Sequence, residues 1–488
     1  MRFRHLATAV EGVVVRTAGP DHDPEVRAVV HDTRAVTGGA LFCCVRGGRA
    51  DGHDLAAAAV ERGAVALVVD HALPLEVPQI VVADVRAALG PVAAAFWDHP
   101  SRHLAVLGVT GTAGKTTVTH LLAAILAADG RPCGVIGTLS GARTTPEAPE
   151  LQALLAEHRR RGDVAVAMEV SSHGLEMGRV DATRFAVGMF TNLSQDHLDF
   201  HGTMEAYFAA KARLFDPGVS ERAVVCADDP WGRRLLDRLR DRGDVEVHPY
   251  RLADAADLSL SPGGAAFTWR GQRVELGLAG RFNVRNAVGA ATAAAAVGVG
   301  PAVVARGLAG TAAVPGRFEA VDAGQPFTVI VDYSHKPDAL DQALRAAREL
   351  VTGRAGLTVV FGCGGDRDAA KRPLMGQVAA RLADDVVLTS DNPRSEDPLV
   401  IIDDIARGVP AGARVRIEPD RRRAIALALG AARPGGVVVV AGKGHETTQV
   451  VGDRTVPFDD RVVAREALAH LTAAGTGGRA RPTKGHTP

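Results

Sequence analysis

The stretch Val106-Leu-Gly-Val-Thr-Gly-Thr-Ala-Gly-Lys-Thr-Thr117 decides the reading of this chain, because it sets a glycine turn and Lys-Thr between an apolar strand and an amphipathic helix. Gly111 and Gly114 let backbone N–H groups turn toward phosphate oxygens, Lys115 offsets their charge, and Thr116 offers a hydroxyl to magnesium at the positive end of the helix. Thr112, Ala113 and Thr117 complete the loop, and a nucleoside triphosphate is expected on it. The spacing is not the usual G-x-x-x-x-G-K-[ST]. Val109 stands where the first glycine would fall, and Gly111 gives the shorter G-x-x-G-K-T. That narrows the field of nucleotide enzymes.

Outward from this loop, apolar strands at 164–168, 186–190 and 223–226, spaced by helices, predict a mostly parallel sheet covered on both faces. Upstream, strands at 64–69 and 79–82 alternate with Ala-rich helical stretches, which predicts a small α/β unit, followed by a linker at 97–101. After Pro315-Gly316 the alternation restarts with strands at 327–331, 357–361, 385–388 and 436–441, which predicts a Rossmann-like sheet. The expected fold class is therefore α/β in three domains. They are an N-terminal domain over 1–98, a central phosphate-loop domain over 99–316 and a C-terminal Rossmann-like domain over 317–471. The tail 472–488, rich in Gly, Thr and Pro, is expected to be disordered.

A chain of 488 residues is long enough for about three domains, each with its own core. The 56 Lys+Arg balance 56 Asp+Glu, so no global field exists for nucleic acid or an anionic membrane, and neither partner is expected. Cysteines at 43, 44, 133, 226 and 363 form no C-x-x-C pair and have no histidines at zinc spacing, which suits a reducing compartment without disulfides. The apolar run at the start ends at Glu11, too short for a signal peptide, and nowhere do eighteen uncharged apolar residues run together. A soluble, cytoplasmic protein is expected, and a monomer.

Ligands of open α/β sheets bind beyond the carboxyl ends of strands, and here those ends carry polar clusters. Glu169-Val-Ser-Ser-His173 follows one strand, Thr191-Asn-Leu-Ser-Gln-Asp-His-Leu-Asp199 follows another, and a later helix presents Lys211. With Thr116 these supply a carboxylate and an imidazole near a triphosphate, an oxygen-rich setting that magnesium accepts. Taken alone, Glu169 reads equally well as a helix N-cap, and His197 reads better as a residue without catalytic duty.

Gly111-Thr-Ala-Gly-Lys-Thr-Thr117, Met168-Glu-Val-Ser-Ser-His173, Thr191 to His201, Tyr207-Phe-Ala-Ala-Lys-Ala-Arg-Leu-Phe215, Phe282-Asn-Val-Arg-Asn286, Pro315-Gly-Arg-Phe-Glu319 and Asp332-Tyr-Ser-His335 together resemble the Mur ligase family. The resemblance runs in order from about Asp32 to about Arg465. Within the family it is strongest to the branch that adds the third amino acid to UDP-N-acetylmuramoyl-L-alanyl-D-glutamate in peptidoglycan synthesis. Asp32-Thr-Arg34, Asp51-Gly-His53, Thr144-Thr-Pro146, Gly362-Cys-Gly-Gly-Asp-Arg-Asp368, Asp391-Asn-Pro-Arg394 and Gly442-Lys-Gly-His-Glu446 carry that part of it.

The resemblance implies an ATP-dependent amide ligase. It transfers the γ-phosphoryl of ATP to a substrate carboxylate, with magnesium screening anion from anion. Lys115, Lys211, Glu169 and His197 are the implied catalytic residues, with Thr116 and Glu169 on one magnesium and His197 on a second. Lys211 matches the lysine that family members carbamylate with carbon dioxide to N6-carboxylysine, an anion able to help position metal where an ammonium would be repelled. Its other reading is a solvated helix lysine. Asn283, Arg317 and Asp332 fall at positions that contact adenine, phosphate and ribose, with His335 a further candidate.

Thr33, Gly48, Arg49 and Ala50 match positions holding the uridine diphosphate, and Thr144, Thr145, Ser171 and Arg179 match positions near the muramoyl peptide. For Arg179 and the threonine pair, a surface salt bridge and a helix cap are the alternatives. Arg367, Asp391, Asn392, Pro393, Arg394, Gly442 and Glu446 match contacts to the added amino acid. Meso-diaminopimelate differs from lysine by a second carboxylate, which a planar guanidinium can hold by two hydrogen bonds, and Arg394 is that cation by resemblance.

Several positions depart from the family pattern. Ala113 replaces a loop asparagine, Met177 a glutamine, and Ser334 and Lys336 replace Ala and Thr, while the loop 137–145 is short. The rival readings are a lysine- or ornithine-adding member, a folylpolyglutamate synthetase, and a non-catalytic nucleotide-binding relative. The Asp-Asn-Pro-Arg and Gly-Lys-Gly-His-Glu motifs argue against the second, and intact Lys115, Glu169, His197 and Lys211 against the third.

Overall fold

The computed structural model describes residues 1–15, 22–48, 50–311 and 313–476. They form two compact units, Met1–Arg251 with Ala287–Gly307, and Leu252–Asn286 with the residues from Leu308 onward.

In the first unit an N-terminal sheet of five strands runs in the order Gly12–Val15, Gln79–Val82, Ala64–Val69, Ala40–Cys43, Ala28–Val30. Only the Gly12–Val15 pairing is antiparallel. Ala66 and Val68 enter one apolar cluster and Leu67 and Val69 another, so both faces are buried, as an uninterrupted apolar run requires. Helix Val85–Phe96 covers one face and is capped by Asp84, whose carboxylate accepts from the N–H groups of Arg86 and Ala87. The stretch expected as a linker at 97–101 is a tight corner instead. Asp98 and His99 take positive φ, Pro100 and Ser101 are buried in a short 3-10 turn, and Ser101 Oγ accepts the Arg184 N–H at 3.1 Å.

The central sheet has six strands, all parallel. Ala105–Thr110 lies inside it, with Ala165–Glu169 then Cys133–Ile136 on one side and Val187–Phe190, Arg222–Cys226 and Glu246–Tyr250 on the other. The strand order reverses at Ala105–Thr110, so the loops leaving it and its two neighbours open the crevice where such sheets bind ligands. Helix Lys115–Ala128 follows at once and buries Val118, Leu121, Leu122 and Ile125.

The second unit holds a three-stranded antiparallel sheet, Ala256–Ser261, Gly264–Trp269 and Gln272–Leu276, which the sequence pattern did not disclose. Residues 252–286, expected within the central domain, pack with this unit. Its larger sheet runs Glu319–Ala320, Thr328–Asp332, Val437–Ala441, Leu357–Phe361, Asp385–Leu388, Val415–Ile417, parallel except at the first pair. Val437, Val439 and Ala441 face one core cluster and Val438 and Val440 the other. A hairpin, Thr448–Val451 with Arg454–Pro457, follows. Helix Asp460–Thr476 continues past 471, where a disordered tail was expected to begin. Residues 477–488 of that tail lie outside the described residues. Among the described residues no helix is long and apolar enough to cross a membrane.

Candidate active site

The phosphate loop of the first unit is built by its glycines and held by the neighbouring strand end. Gly114 takes φ 88° as the residue before helix Lys115–Ala128, a conformation that costs a side-chain-bearing residue. A Cβ on Gly111 would run into Thr191 Oγ1. Lys115 Nζ folds back to donate to the carbonyls of Gly111 and Thr112 at 2.9 and 3.0 Å. Asn192 accepts the Ala113 N–H at 3.0 Å and donates to the Ala113 carbonyl at 3.1 Å, and Thr191 Oγ1 donates to that carbonyl at 2.7 Å. Thr191 and Asn192 thus hold the backbone of Ala113, which has no side-chain amide of its own, by three hydrogen bonds.

Glu169 is the last residue of its strand and is 2% exposed. Oε1 accepts from Thr116 Oγ1 at 3.0 Å and from the Thr138 N–H at 2.8 Å, and Oε2 accepts from Thr138 Oγ1 at 3.2 Å. The N-cap alternative does not hold. Ser171 caps helix Ser172–Glu176 by accepting the Gly174 N–H, and Glu169 points its carboxylate at Thr116. The short loop 137–145 closes over this carboxylate, and a Cβ on Gly137 would collide with it. Thr138, which sequence reasoning passed over, is the loop's contact to Glu169. A buried carboxylate beside a hydroxyl is a hard oxygen donor set suited to magnesium.

Lys211 is 1% exposed, so the reading as a solvated helix lysine fails. Its Nζ donates to the Gly111 carbonyl at 2.8 Å and lies 4.7 Å from the centre of the Tyr207 ring. Tyr207 OH stands 3.2 Å from Thr112 Oγ1, which in turn accepts the Ser194 N–H at 3.0 Å. One hydroxyl therefore joins the phosphate loop, the Ser194 loop and the Lys211 helix. His197 takes φ 52°, has Nε2 3.3 Å from Asp196 Oδ2, and meets His173 edge-on at 4.7 Å between centroids. Burial, with His201 and Arg179 adding to it, holds the His173 imidazole below its ordinary range. Burial followed by Lys211 does the same for His201.

The residues assigned to the muramoyl peptide have structural partners of their own. Thr145 donates to the Glu169 carbonyl at 2.9 Å and accepts the Ser171 N–H at 2.9 Å. Thr144 Oγ1 lies 3.1 Å from Thr138 Oγ1. Arg179 pairs with Glu147 at 2.8 Å, with both side chains mostly buried, so it forms a salt bridge, but a buried one and not the surface pair of the alternative reading. Thr33 begins a 3-10 turn capped by Asp32, and Gly48 and Ala50 are exposed in the loop Arg46 closes with Asp51. Arg49 lies outside the described residues.

In the second unit Asn283 is 1% exposed, and its amide nitrogen donates to the Ala279 carbonyl at 2.9 Å. The Arg317 guanidinium lies 4.6 Å from the Tyr333 ring centre. Asp332 has both oxygens engaged. Oδ2 accepts the Phe318 N–H at 2.8 Å, and Oδ1 accepts the Ser334 N–H at 2.9 Å and the Ser334 hydroxyl. The departure from Ala to Ser at 334 thus adds a competitor for the carboxylate expected to meet a ribose. His335 Nδ1 donates to the Tyr333 carbonyl at 2.8 Å, and burial followed by Lys336 lowers its pKa to about 4.

The Asp391-Asn-Pro-Arg394 and Gly442-Lys-Gly-His-Glu446 segments meet. Asn392 Nδ2 donates to Glu446 Oε2 at 2.9 Å, and a Cβ on Gly442, whose φ is 116°, would meet Asp391 Oδ2 at 2.8 Å. Burial raises the pKa of Asp391. Burial alone would also raise that of Glu446, but the charge of Lys443 and hydrogen bonds from Asn392 and Lys443 outweigh it and hold Glu446 below its ordinary value. Pro393 is buried, Arg367 is exposed, and Arg394 holds φ 53° while donating from Nη1 to the Gly365 carbonyl at 2.6 Å. A left-handed arginine costs backbone energy of order 1–3 kcal/mol, which two bonds to the hairpin, Arg394 N–H to Val450 O and Gly452 N–H to Arg394 O, offset.

A glycine turn at the switch point of a parallel sheet, closed against a buried carboxylate, defines an α/β protein of the phosphate-loop class. Three domain families match the chain: "Mur ligase family, catalytic domain" over 25–97, "Mur ligase middle domain" over 109–294, and "Mur ligase, glutamate ligase domain" over 316–444. The UDP-N-acetylmuramoyl-L-alanyl-D-glutamate–2,6-diaminopimelate ligase of Geobacillus thermodenitrificans is 44% identical over 96% of this chain and 99% of that protein. The enzyme of the same name from Streptomyces avermitilis is 45% identical over 92% and 94%. A solved structure of a ligase with that name superposes with a TM-score of 0.67 at 34% identity over 92% of this chain and 95% of the other. MurF from Acinetobacter baumannii shares the fold, with a TM-score of 0.65 at 21% identity over 96% and 98%. The chain belongs to the Mur ligase family and is an enzyme of that ligase class.

Proposed function

We propose that this enzyme joins meso-diaminopimelate to the D-glutamate of UDP-N-acetylmuramoyl-L-alanyl-D-glutamate, at the expense of ATP, in the cytoplasm. The observation that carries the reading is the buried Glu169–Thr116 contact directly under the phosphate loop. Relatives named for this reaction, 44–45% identical over most of the chain, support the substrates, and the three family matches support a division into domains near 1–98, 99–316 and 317–471.

In this reading the loop Gly111–Thr117 turns its N–H groups and Lys115 to the β- and γ-phosphates. Asn283, Arg317 and Asp332 hold adenine, phosphate and ribose. Thr116 and Glu169 would hold one magnesium and His197 a second, which supply charge screening as two anions approach. Lys211, added as a free amine to carbon dioxide with loss of a proton, becomes a carbamate that orients the metal-binding groups. The substrate carboxylate attacks the γ-phosphorus and ADP leaves, giving an acyl phosphate. The amine of the diamino acid then attacks the acyl carbon, phosphate departs from the tetrahedral intermediate, and the amide forms on loss of a proton. Thr33, Gly48, Arg49 and Ala50 hold the uridine diphosphate; Thr144, Thr145, Ser171 and Arg179 line the muramoyl-peptide side. Arg394 takes the distal carboxylate, with Arg367, Asp391, Asn392, Pro393, Gly442 and Glu446 around the amino acid.

Phosphate release by the purified enzyme tests this. Release is expected only with ATP, magnesium, the UDP-muramoyl dipeptide and meso-diaminopimelate together. Equal release when L-lysine replaces diaminopimelate, or none with the full mixture, overturns the assignment.

A further inference from the structure

Lys443 is a lysine where solvation is the rule for its type, yet it is 0% exposed. Its ammonium donates to Asn392 Oδ1 at 3.1 Å and to Glu446 Oε2 at 3.0 Å, and lies 3.7 Å from Asp391 Oδ1. These three partners come from the two segments that carry the amino-acid contacts. Both ends of the Asn392 amide are engaged. Its oxygen takes Lys443 and the Val450 N–H at 3.0 Å, and its nitrogen gives to Glu446 Oε2. A cation against the oxygen settles the amide's orientation, because its NH2 end cannot face an ammonium. Glu446 Oε2 receives two donors, whereas Oε1 makes no hydrogen bond among the described residues. Two carboxylates around one ammonium leave one formal negative charge, the complement of an ammonium ligand.

We propose that Lys443 is a positioning residue of the amino-acid site: by holding Glu446 Oε2 and Asn392 Oδ1 it turns Glu446 Oε1 toward the ammonium of the incoming diamino acid. The proposal rests on the reading that Asn392 and Glu446 contact that substrate. Lys443 itself touches no substrate; it acts through Glu446.

The test compares Lys443→Met, Glu446→Gln and the double variant in the full enzyme, with KM measured separately for diaminopimelate, the UDP-muramoyl dipeptide and ATP. Lys443→Met is expected to raise KM for diaminopimelate at least about tenfold and leave the other two within about twofold. Because the lysine acts through Glu446, its effect is expected to shrink to less than about threefold in the Glu446→Gln background. A packing role alone would lower kcat and the thermal midpoint with all three KM values moving together, and that pattern overturns the proposal. So does a tenfold effect that persists undiminished in the double variant. If Glu446→Gln leaves the diaminopimelate KM unchanged, the site reading itself fails and the proposal with it, whereas a raised KM in Glu446→Gln with none in Lys443→Met overturns the proposal alone. Should Lys443→Met not fold, Lys443→Gln, which keeps a donor and loses the charge, is read in the same way.

Discussion

Asn192 grips the backbone of Ala113 at both ends, its amide oxygen taking the Ala113 N–H at 3.0 Å and its amide nitrogen donating to the Ala113 carbonyl at 3.1 Å. The two bonds fix the tilt of the peptides on either side of Ala113, and therefore the direction of the N–H groups meant for phosphate. Removing the amide frees the loop without deleting any group that contacts nucleotide. Asn192→Ala is expected to raise KM for ATP about tenfold, the worth of one to two net hydrogen bonds, with diaminopimelate KM unchanged. Steady-state kinetics checks it, and an unchanged ATP KM would sink the idea that Asn192 sets the shape of the phosphate loop.

Ser334 competes for Asp332. Its hydroxyl and N–H both converge on Oδ1, so a ribose hydroxyl seeking that oxygen must displace or share a donor. Ser334→Ala keeps the N–H bond and removes the hydroxyl. Nucleotide affinity, followed by isothermal titration with ADP, is expected to tighten by roughly threefold to tenfold, the range of one modest hydrogen bond. Weaker binding in the variant would mean the hydroxyl serves the nucleotide rather than competing with it.

Much of this was legible because buried parallel strands write themselves as unbroken Val, Ile and Leu runs. The strands at 357–361 and 385–388 fall on the expected residues, and Thr328–Asp332 and Val437–Ala441 within one. The antiparallel sheet from Ala256 to Leu276 escaped because its edge strand is small, polar and mostly exposed, and the hairpin Thr448–Pro457 because almost nothing in it is buried. Motifs lie close together in the chain, but their supports do not. Thr138 reaches Glu169 and Asn192 reaches Ala113 only because the sheet sets their strands side by side, and a lysine between two glycines gives no sign that it is buried.

Arg394 stands in a left-handed conformation and gives one donor to the Gly365 carbonyl, leaving the rest of its fork for a carboxylate. Arg394→Ala is expected to cut kcat/KM for meso-diaminopimelate by about a hundredfold or more while ADP binding stays within about twofold, since a bidentate charge-assisted pair is worth about 3 kcal/mol. An equal loss of nucleotide binding would show that the residue supports the fold instead of selecting the substrate.

His335 predicts an acid-side loss of stability. Burial, then Lys336, depresses its pKa from 6.5 to about 4, so between those values the unfolded chain carries a proton that the folded chain lacks. The contribution is complete above about pH 6.5 and drains as pH falls toward 4, at a slope approaching about 1.4 kcal/mol per pH unit. Denaturant unfolding from pH 7 to 4.5 should show the slope in the native enzyme and a shallower one in His335→Gln. Parallel curves would remove His335 as the cause.

Arg421 and Asp460 are both fully buried and paired, at 2.8 Å from Nε to Oδ1 and 2.7 Å from Nη2 to Oδ2. The same guanidinium donates to the carbonyls of Ser390 and Ala441 at 3.2 and 2.9 Å, the residues immediately before the Asp391 and Gly442 segments. The pair therefore fastens the floor on which both segments stand. Asp460→Ala strands a buried cation and is expected to cost about 3–5 kcal/mol, seen as a lower denaturation midpoint of the second unit. Arg421→Met with Asp460→Leu removes both charges, yet leaves two buried carbonyls short of a donor. Its stability should recover only part of the way, and diaminopimelate KM should stay raised after that recovery. Full recovery of both would mean that the carbonyl bonds contribute nothing and that the pair serves packing alone.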